Sequence, residues 1–384
     1  MKKRKICLFT AHSPMVGGGG AILRSLVPQL DELEIIWAYI GNGPVAGYEE
    51  GYLGPALMGG PMLKDILQTR RMLSTGNMPF MDGLVQKMLA IDCDGYWIVS
   101  HNEGLRLAIE LTTRQNQRPV HMTVHDDWAG ALCARSLRYR FMAGAALKLT
   151  VEALKTLESF DVISGGMRDY YRKLSARRGE VCHRYLPESS ILDGSKPDNG
   201  DTVKVGHIGS LYDKKDLFDF ASLLKEFYQP KNKKVLLQMW GCHLSAADVP
   251  AALKENIEFF DTLPEEKVVP ELSKCDMVYC MYPLSNALHL FSKTSLPTKL
   301  SSYLQAARPI FGHGPADSTL AEFLNTAQLG AMWSGGKQEG FALLKAMEYL
   351  EPEHTDWQNA RRLYFGEKNL QVMHRALNPK TINE

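Results

Sequence analysis

The sequence predicts an α/β protein of two parallel-sheet domains, and three observations carry that prediction. Short apolar runs that read as strands alternate with segments of helical periodicity. The alternation stops at a stretch rich in Pro, Gly, Ser and Asp and then starts again. A chain of 384 residues, 45% apolar and 23% charged, is also long enough for two cores. Parallel neighbours need crossover connections, so the pattern implies sheets covered by helices on both faces.

The first run, KICLFT (residues 5–10), ends in small and polar residues, and four glycines (Gly17, Gly18, Gly19, Gly20) precede Ala21, Ile22, Leu26 and Leu30 at helical spacing. This reads as strand, glycine loop and helix. EIIWAYIG, GYWIVSH and PVHMTVHDDW follow as strands, with MDGLVQKMLAI and GLRLAIELTTRQ as helices between them. One long helical segment, roughly 132–159, leads into FDVISGGMRDYYRKL, which is strand, turn and helix again. PESSILDGSKPDNGD (187–201) has little apolar periodicity and reads as a linker. Beyond it VKVGHIGSL, KKVLLQMWG, IEFFDTL, CDMVYCMY and RPIFGHG are strands of a second domain. The expected division is residues 1–190, residues 202–365, and a helical tail (366–384) that crosses back to the first domain.

Forty-four basic against 43 acidic side chains leave no overall field for nucleic acid or an anionic membrane. Seven cysteines without a CxxC pair fit a reduced compartment, and the first apolar run is too short for a signal peptide, so a cytoplasmic protein is expected. The histidines show no HExxH or His/Cys ligand spacing, so no metal is expected. Two runs that mix basic and aromatic residues, RSLRYRFMAG and RDYYRKLSARR, are either solvated helix faces or a peripheral contact with a membrane or lipid-linked partner.

Strand, glycines and helix direct backbone N–H groups and the positive helix end at an anion. The spacing fails both GxGxxG and GxxxxGK[ST], which disfavours a nicotinamide dehydrogenase and a P-loop hydrolase. Four glycines in a row suggest close approach by a ligand or by facing backbone. The strand TVHDDW ends in His125, Asp126 and Asp127, where a ligand-binding residue belongs in a parallel sheet. The two carboxylates are alternatively helix caps or partners of the imidazole. His12, at the end of the first strand, is a rival to His125.

Several segments together resemble the GT-B glycosyltransferases, most closely the retaining nucleotide-sugar enzymes of glycosyltransferase family 4. GHIGSLYDKKDLFDFASLL is similar to that family's strand, GR turn and following Lys. IEFFDTLPEEKVVPELSKCDMVYCMYPL is similar to its G-x-(I/V)-P and aDvfvyPs segments, and SLPTKLSSYLQAARPIFGHG to its P-x-K-x-x-E-Y-L element. The resemblance implies two Rossmann-like domains facing a central cleft. It implies a hexosyltransferase that moves a sugar from a UDP- or GDP-type donor, with retention and no cofactor, to a glycan, lipid-linked or small-molecule acceptor.

By that resemblance Gly17 to Gly20, Ser210, Lys215 and Lys299 hold the donor diphosphate, Thr294 and Ser302 hold the donor sugar or ribose, and His125 with Asp126 serves the reacting centre. The chain departs from the family at Ser210, where Arg is usual, and at Thr294 and Ser302, where paired glutamates are usual. Hydroxyls there can hydrogen-bond but carry no charge. Those departures keep open a non-catalytic sugar-nucleotide-binding subunit, besides an inverting transferase or epimerase of the same fold.

Overall fold

The computed structural model describes residues 3–74, 79–114, 117–135 and 137–378. It divides into two compact units, Met1–Tyr185 with Glu367–Glu384, and Leu186–Gly366. The first contains strands β1 (Arg4–Thr10), β2 (Leu33–Ile40), β3 (Tyr52–Gly54), β4 (Gly95–Val99), β5 (Val120–Val124), β6 (Ser159–Val162) and β7 (Glu180–Val181). Every pairing is parallel, in the order β3-β2-β1-β4-β5-β6-β7. The second contains β8 (Thr202–Ile208), β9 (Lys234–Trp240), β10 (Ile257–Phe260), β11 (Met277–Met281), β12 (Ile310–His313) and β13 (Gly330–Trp333). Its parallel order is β10-β9-β8-β11-β12-β13.

Each sheet therefore reverses direction of growth beside its first strand, between β1 and β4 and between β8 and β11. Ligands of doubly wound sheets bind at the carboxyl ends of strands at such a switch point. The strands that flank it are buried on both faces, as Ile6 to Thr10, Gly95 to Val99 and Met277 to Met281 show, which is why they read as unbroken apolar runs rather than alternating ones. In the second core Phe220 stacks on Tyr279 with ring centroids 4.1 Å apart, and in the first Trp97 donates its indole N–H to Thr123 Oγ1 at 2.8 Å.

Four local features differ from the sequence expectation. The glycines are not a loop before the helix but its first turn, in the helix Gly17–Leu26. The segment 132–159 is not one helix: it holds parts of Trp128–Arg135 and Leu137–Arg140, then Ala143–Thr156 and the start of β6. The chain turns where buried Tyr139 donates to Asp65, a partner 74 positions away that no local pattern announces. Residues 187–201 run along the second unit, with Leu192 N–H on Gln305 O at 2.8 Å and Asn199 Nδ2 on Asp276 at 3.0 Å. Finally β3, β7 and β13 are strands of two to four residues that the periodicity does not reveal.

The helix Glu367–Leu377 belongs to the first unit, where Asn369 Oδ1 accepts the His183 N–H at 2.8 Å. Residues 379–384 of the expected tail lie outside the described residues. No helix among the described residues is long and apolar enough to cross a membrane.

Candidate functional site

In the first unit the loop after β1 is fixed by its own backbone. Thr10 Oγ1 donates to His12 O at 2.8 Å and accepts Trp37 Nε1–H at 3.1 Å, while Arg24 reaches back to Pro14 O. The helix then starts at Gly17, whose φ of +72° suits glycine. Val16 at the cap position makes no side-chain hydrogen bond and the first turn holds no acidic residue. Those amides are not met by a capping side chain.

Packing explains two more of the glycines. A Cβ on Gly19 would lie 2.8 Å from His125 Nδ1, and one on Gly20 would lie 2.6 Å from Pro14 O. The close approach inferred from sequence is thus made, for these two, by the protein's own imidazole and carbonyl.

His125 is 8% exposed at the end of β5, and its ring has no hydrogen-bond partner among the described residues. Burial lowers its pKa from 6.5 to about 4, opposed by Asp161 and assisted by His12 and His101. His101, after β4, is likewise lowered to about 4, and its ring centroid stands 5.9 Å from that of His12. Three imidazoles, two of them held neutral at pH 7, therefore surround the switch point of the first sheet.

The two carboxylates after His125 separate in role. Asp127 is buried, accepts the Gly130 N–H at 2.7 Å and the Tyr171 hydroxyl at 2.7 Å, and so caps the helix Trp128–Arg135. Asp126 keeps an exposed surface and makes no such bond among the described residues; desolvation first and Asp127 second raise its carboxyl pKa.

In the second unit Lys299 is the central feature. Its Nζ lies 3.0 Å from Ser210 O and 3.4 Å from His207 Nε2. His207 directs its Nδ1 to Tyr279 O at 3.0 Å, so Nδ1 carries the proton and Nε2 faces the ammonium as an acceptor. Burial lowers the Lys299 pKa, and no carboxylate pairs with it among the described residues. Burial, helped by Lys299, also pushes His207 well below the usual range.

The remaining predicted residues divide. Ser210 is exposed and contributes its carbonyl to Lys299. Lys215 is 77% exposed and paired with Asp219 at 2.6 Å along its own helix, so its ammonium is engaged by a carboxylate. Ser302 Oγ donates to Glu265 Oε1 at 2.6 Å, and Gln305 Nε2 donates to the same oxygen at 2.9 Å. Thr294 is 1% exposed and donates its hydroxyl proton to Leu290 O at 2.9 Å.

Comparison of the sequence with family models and with curated proteins finds no match. Solved structures do resemble it along its whole length. Sucrose-phosphate synthase from Thermosynechococcus elongatus matches with a TM-score of 0.65 at 11% identity, over 99% of this chain and 100% of that one. Anabaena HepE in complex with UDP matches with 0.62 at 13%, over 99% and 98%. The E. coli trehalose-6-phosphate structure bound with UDP-2-fluoro glucose matches with 0.59 at 14%, over 98% and 97%. The fold is GT-B.

Within this GT-B chain three residues escaped sequence reasoning: His101, His207 and Glu265. Glu265 opens the helix Glu265–Ser273 directly after Pro264, an acidic first turn that by itself signals only a helix start. Its meeting with Ser302, 37 positions on, is set by the fold. His101 and His207 sit at the end of a strand, as His125 does, and that shared placement is the signal that was available. Among the described residues no group of three or more His, Cys, Asp or Glu stands where it would hold a metal ion.

Proposed function

We propose that the chain is a glycosyltransferase that moves a hexose from a nucleoside diphosphate sugar, of UDP type, to an acceptor hydroxyl, with retention. The observation that carries the proposal is Lys299, a half-buried ammonium at the carboxyl-end switch point of the second sheet with no carboxylate partner among the described residues. A partly desolvated cation without a counter-charge is costly, and a site built this way is completed by an anion. The complexes with UDP and UDP-2-fluoro glucose named above support a nucleoside diphosphate as that anion.

In this reading Lys299 meets the diphosphate, and Lys215 joins it by leaving Asp219, an exposed and therefore weak pair. Ser302, Gln305 and Glu265 face the ribose, so the carboxylate that the family carries at the position of Ser302 comes here from Glu265. In the first unit the amides that open the helix Gly17–Leu26 are available to an anion, and neutral His125 with Asp126 offers polar groups to a sugar or acceptor hydroxyl.

The bond between the sugar's anomeric carbon and the phosphate oxygen breaks, and the bond to the acceptor oxygen forms on the same face. The acceptor's proton passes to the departing phosphate oxygen, whose negative charge the Lys299 ammonium stabilises. The reading calls for no protein nucleophile, no metal and no cofactor.

The test is a transfer and hydrolysis assay with a panel of UDP- and GDP-sugars, with product anomers read by NMR. Retained configuration with UDP-sugars is the expected result. Inverted product would move Asp126 or His125 to the role of general base, and no turnover with any donor that nonetheless binds would make the chain a sugar-nucleotide-binding subunit.

A further inference from the structure

One face of the first unit exposes large apolar side chains that its own packing does not use. The helix Met62–Met72 buries Asp65, Thr69 and Met72, which recur at helical spacing and so define its inner side. Leu63 and Leu67, one turn apart on the outer side, are 73% and 56% exposed. The short helix Leu137–Arg140 turns Tyr139 inward, while Leu137 and the following Phe141 are 76% and 68% exposed. A lone exposed leucine is ordinary, whereas a cluster of such side chains marks an interaction surface.

Two contacts set these helices beside each other. The Tyr139 hydroxyl donates to Asp65, which joins their inner sides. Arg138 Nη1 lies 3.0 Å from Sδ of exposed Met62, which joins their outer ones.

The charge on this face has one sign. Lys64, Arg70 and Arg71 flank the two leucines, and Arg138 and Arg140 lie between Leu137 and Phe141. All five are exposed, and none has a carboxylate partner among the described residues. Residues 51–74 and 137–151 contain one acidic side chain, Asp65. It is buried and accepts from Tyr139 and, at 3.0 Å, from the Gly59 N–H. Glu103, which accepts the Met58 N–H at 2.7 Å, is buried too. The other run of basic and aromatic residues differs. On the helix Gly165–Ser175, Asp169 lies 3.3 Å from Arg168 and 3.9 Å from Arg172, so that run carries its own counter-charge.

We propose that the face formed by Met62–Met72 and Leu137–Phe141 docks on an anionic lipid bilayer. Leu63, Leu67, Leu137 and Phe141 enter the headgroup region, and the five cations lay their stems along it with their charged ends among the lipid phosphates. A protein interface is depleted of charge at its centre and would need a carboxylate fixed opposite each cation. Anionic lipids instead surround a basic segment wherever its cations stand. The face shares no residue with the donor reading and stands without it.

Co-sedimentation of the full chain with vesicles of equimolar phosphatidylcholine and phosphatidylglycerol, against pure phosphatidylcholine, tests this. Partitioning onto the anionic vesicles should be about tenfold stronger or more, and should vanish at about 0.5 M salt, where the Debye length is about 4 Å. Leu63→Ser/Leu67→Ser and Arg70→Gln/Arg71→Gln should each weaken it about tenfold, while Arg168→Gln/Arg172→Gln should leave it unchanged. The first two pairs change only exposed side chains, so the fold is retained. No partitioning, equal partitioning onto pure phosphatidylcholine, affinity unchanged in either of the first two variants, or an equal loss in the third would each overturn the proposal. Dimerisation without lipid that Leu63→Ser/Leu67→Ser abolishes would overturn it in favour of a second copy of the chain. Binding to soluble polyglutamate as strong as to the anionic vesicles would overturn it in favour of an acidic protein.

Discussion

The two sheets share one strand order, yet their switch points are chemically opposite. Beside β1 and β4 stand His12, His101 and His125, the last buried and held neutral, and His125 lacks any hydrogen-bond partner among the described residues. Beside β8 the single histidine, His207, engages both ring nitrogens and supports an ammonium. The same topology has been given an uncharged, hydrogen-bond-hungry edge in one unit and an uncompensated cation in the other. Topology locates a site, and the side chains at the strand ends decide what it binds.

The largest expected effect concerns the neutral edge. Folded His125 takes up its proton only near pH 4, against 6.5 in the unfolded chain. Between those values the unfolded state binds more protons, so stability is full above pH 6.5 and falls as pH drops to 4, by up to about 3 kcal/mol for this residue. Urea midpoints measured across that window should show the fall, and His125→Asn should make it shallower. An equally steep profile in the variant would assign the fall to the other lowered imidazoles, His101 of the first unit and His207 and His313 of the second.

Gly20→Ala should cost about 1–3 kcal/mol, since the gain in helix propensity of up to about 1 kcal/mol cannot offset a Cβ against Pro14 O. A urea midpoint that rises instead would show that the first turn of this helix has room for side chains. In the charged unit, Glu265→Ala should weaken UDP binding about tenfold, near 1.4 kcal/mol, while leaving the affinity for 2′,3′-dideoxy-UDP unchanged. Equal losses for both ligands would remove Glu265 from the ribose. Smallest is Lys215→Ala, expected to cost about threefold or less in UDP affinity, because its ammonium is exposed and already paired with Asp219.

How far the sequence goes differs between these regions for a physical reason. Runs such as KICLFT and CDMVYCMY are legible because strands covered on both faces need continuous apolar character, a local property. The glycine turn misleads because glycine's low helix propensity argues for a loop, while the contacts that settle it, Pro14 O and His125, are tertiary. Lys299 is legible as a residue and as a charge, but its lack of a carboxylate partner among the described residues is not. Glu265 is illegible as a ligand because Ser302 and Gln305 reach it from another helix.

The central claim is that Lys299 exists for the donor's diphosphate, and titrating UDP and uridine separately into the wild-type chain and into Lys299→Met tests it most directly. The account predicts a loss of about 100-fold for UDP, near 2.7 kcal/mol, with uridine affinity unchanged. An equal loss for both ligands, or none for either, would contradict it.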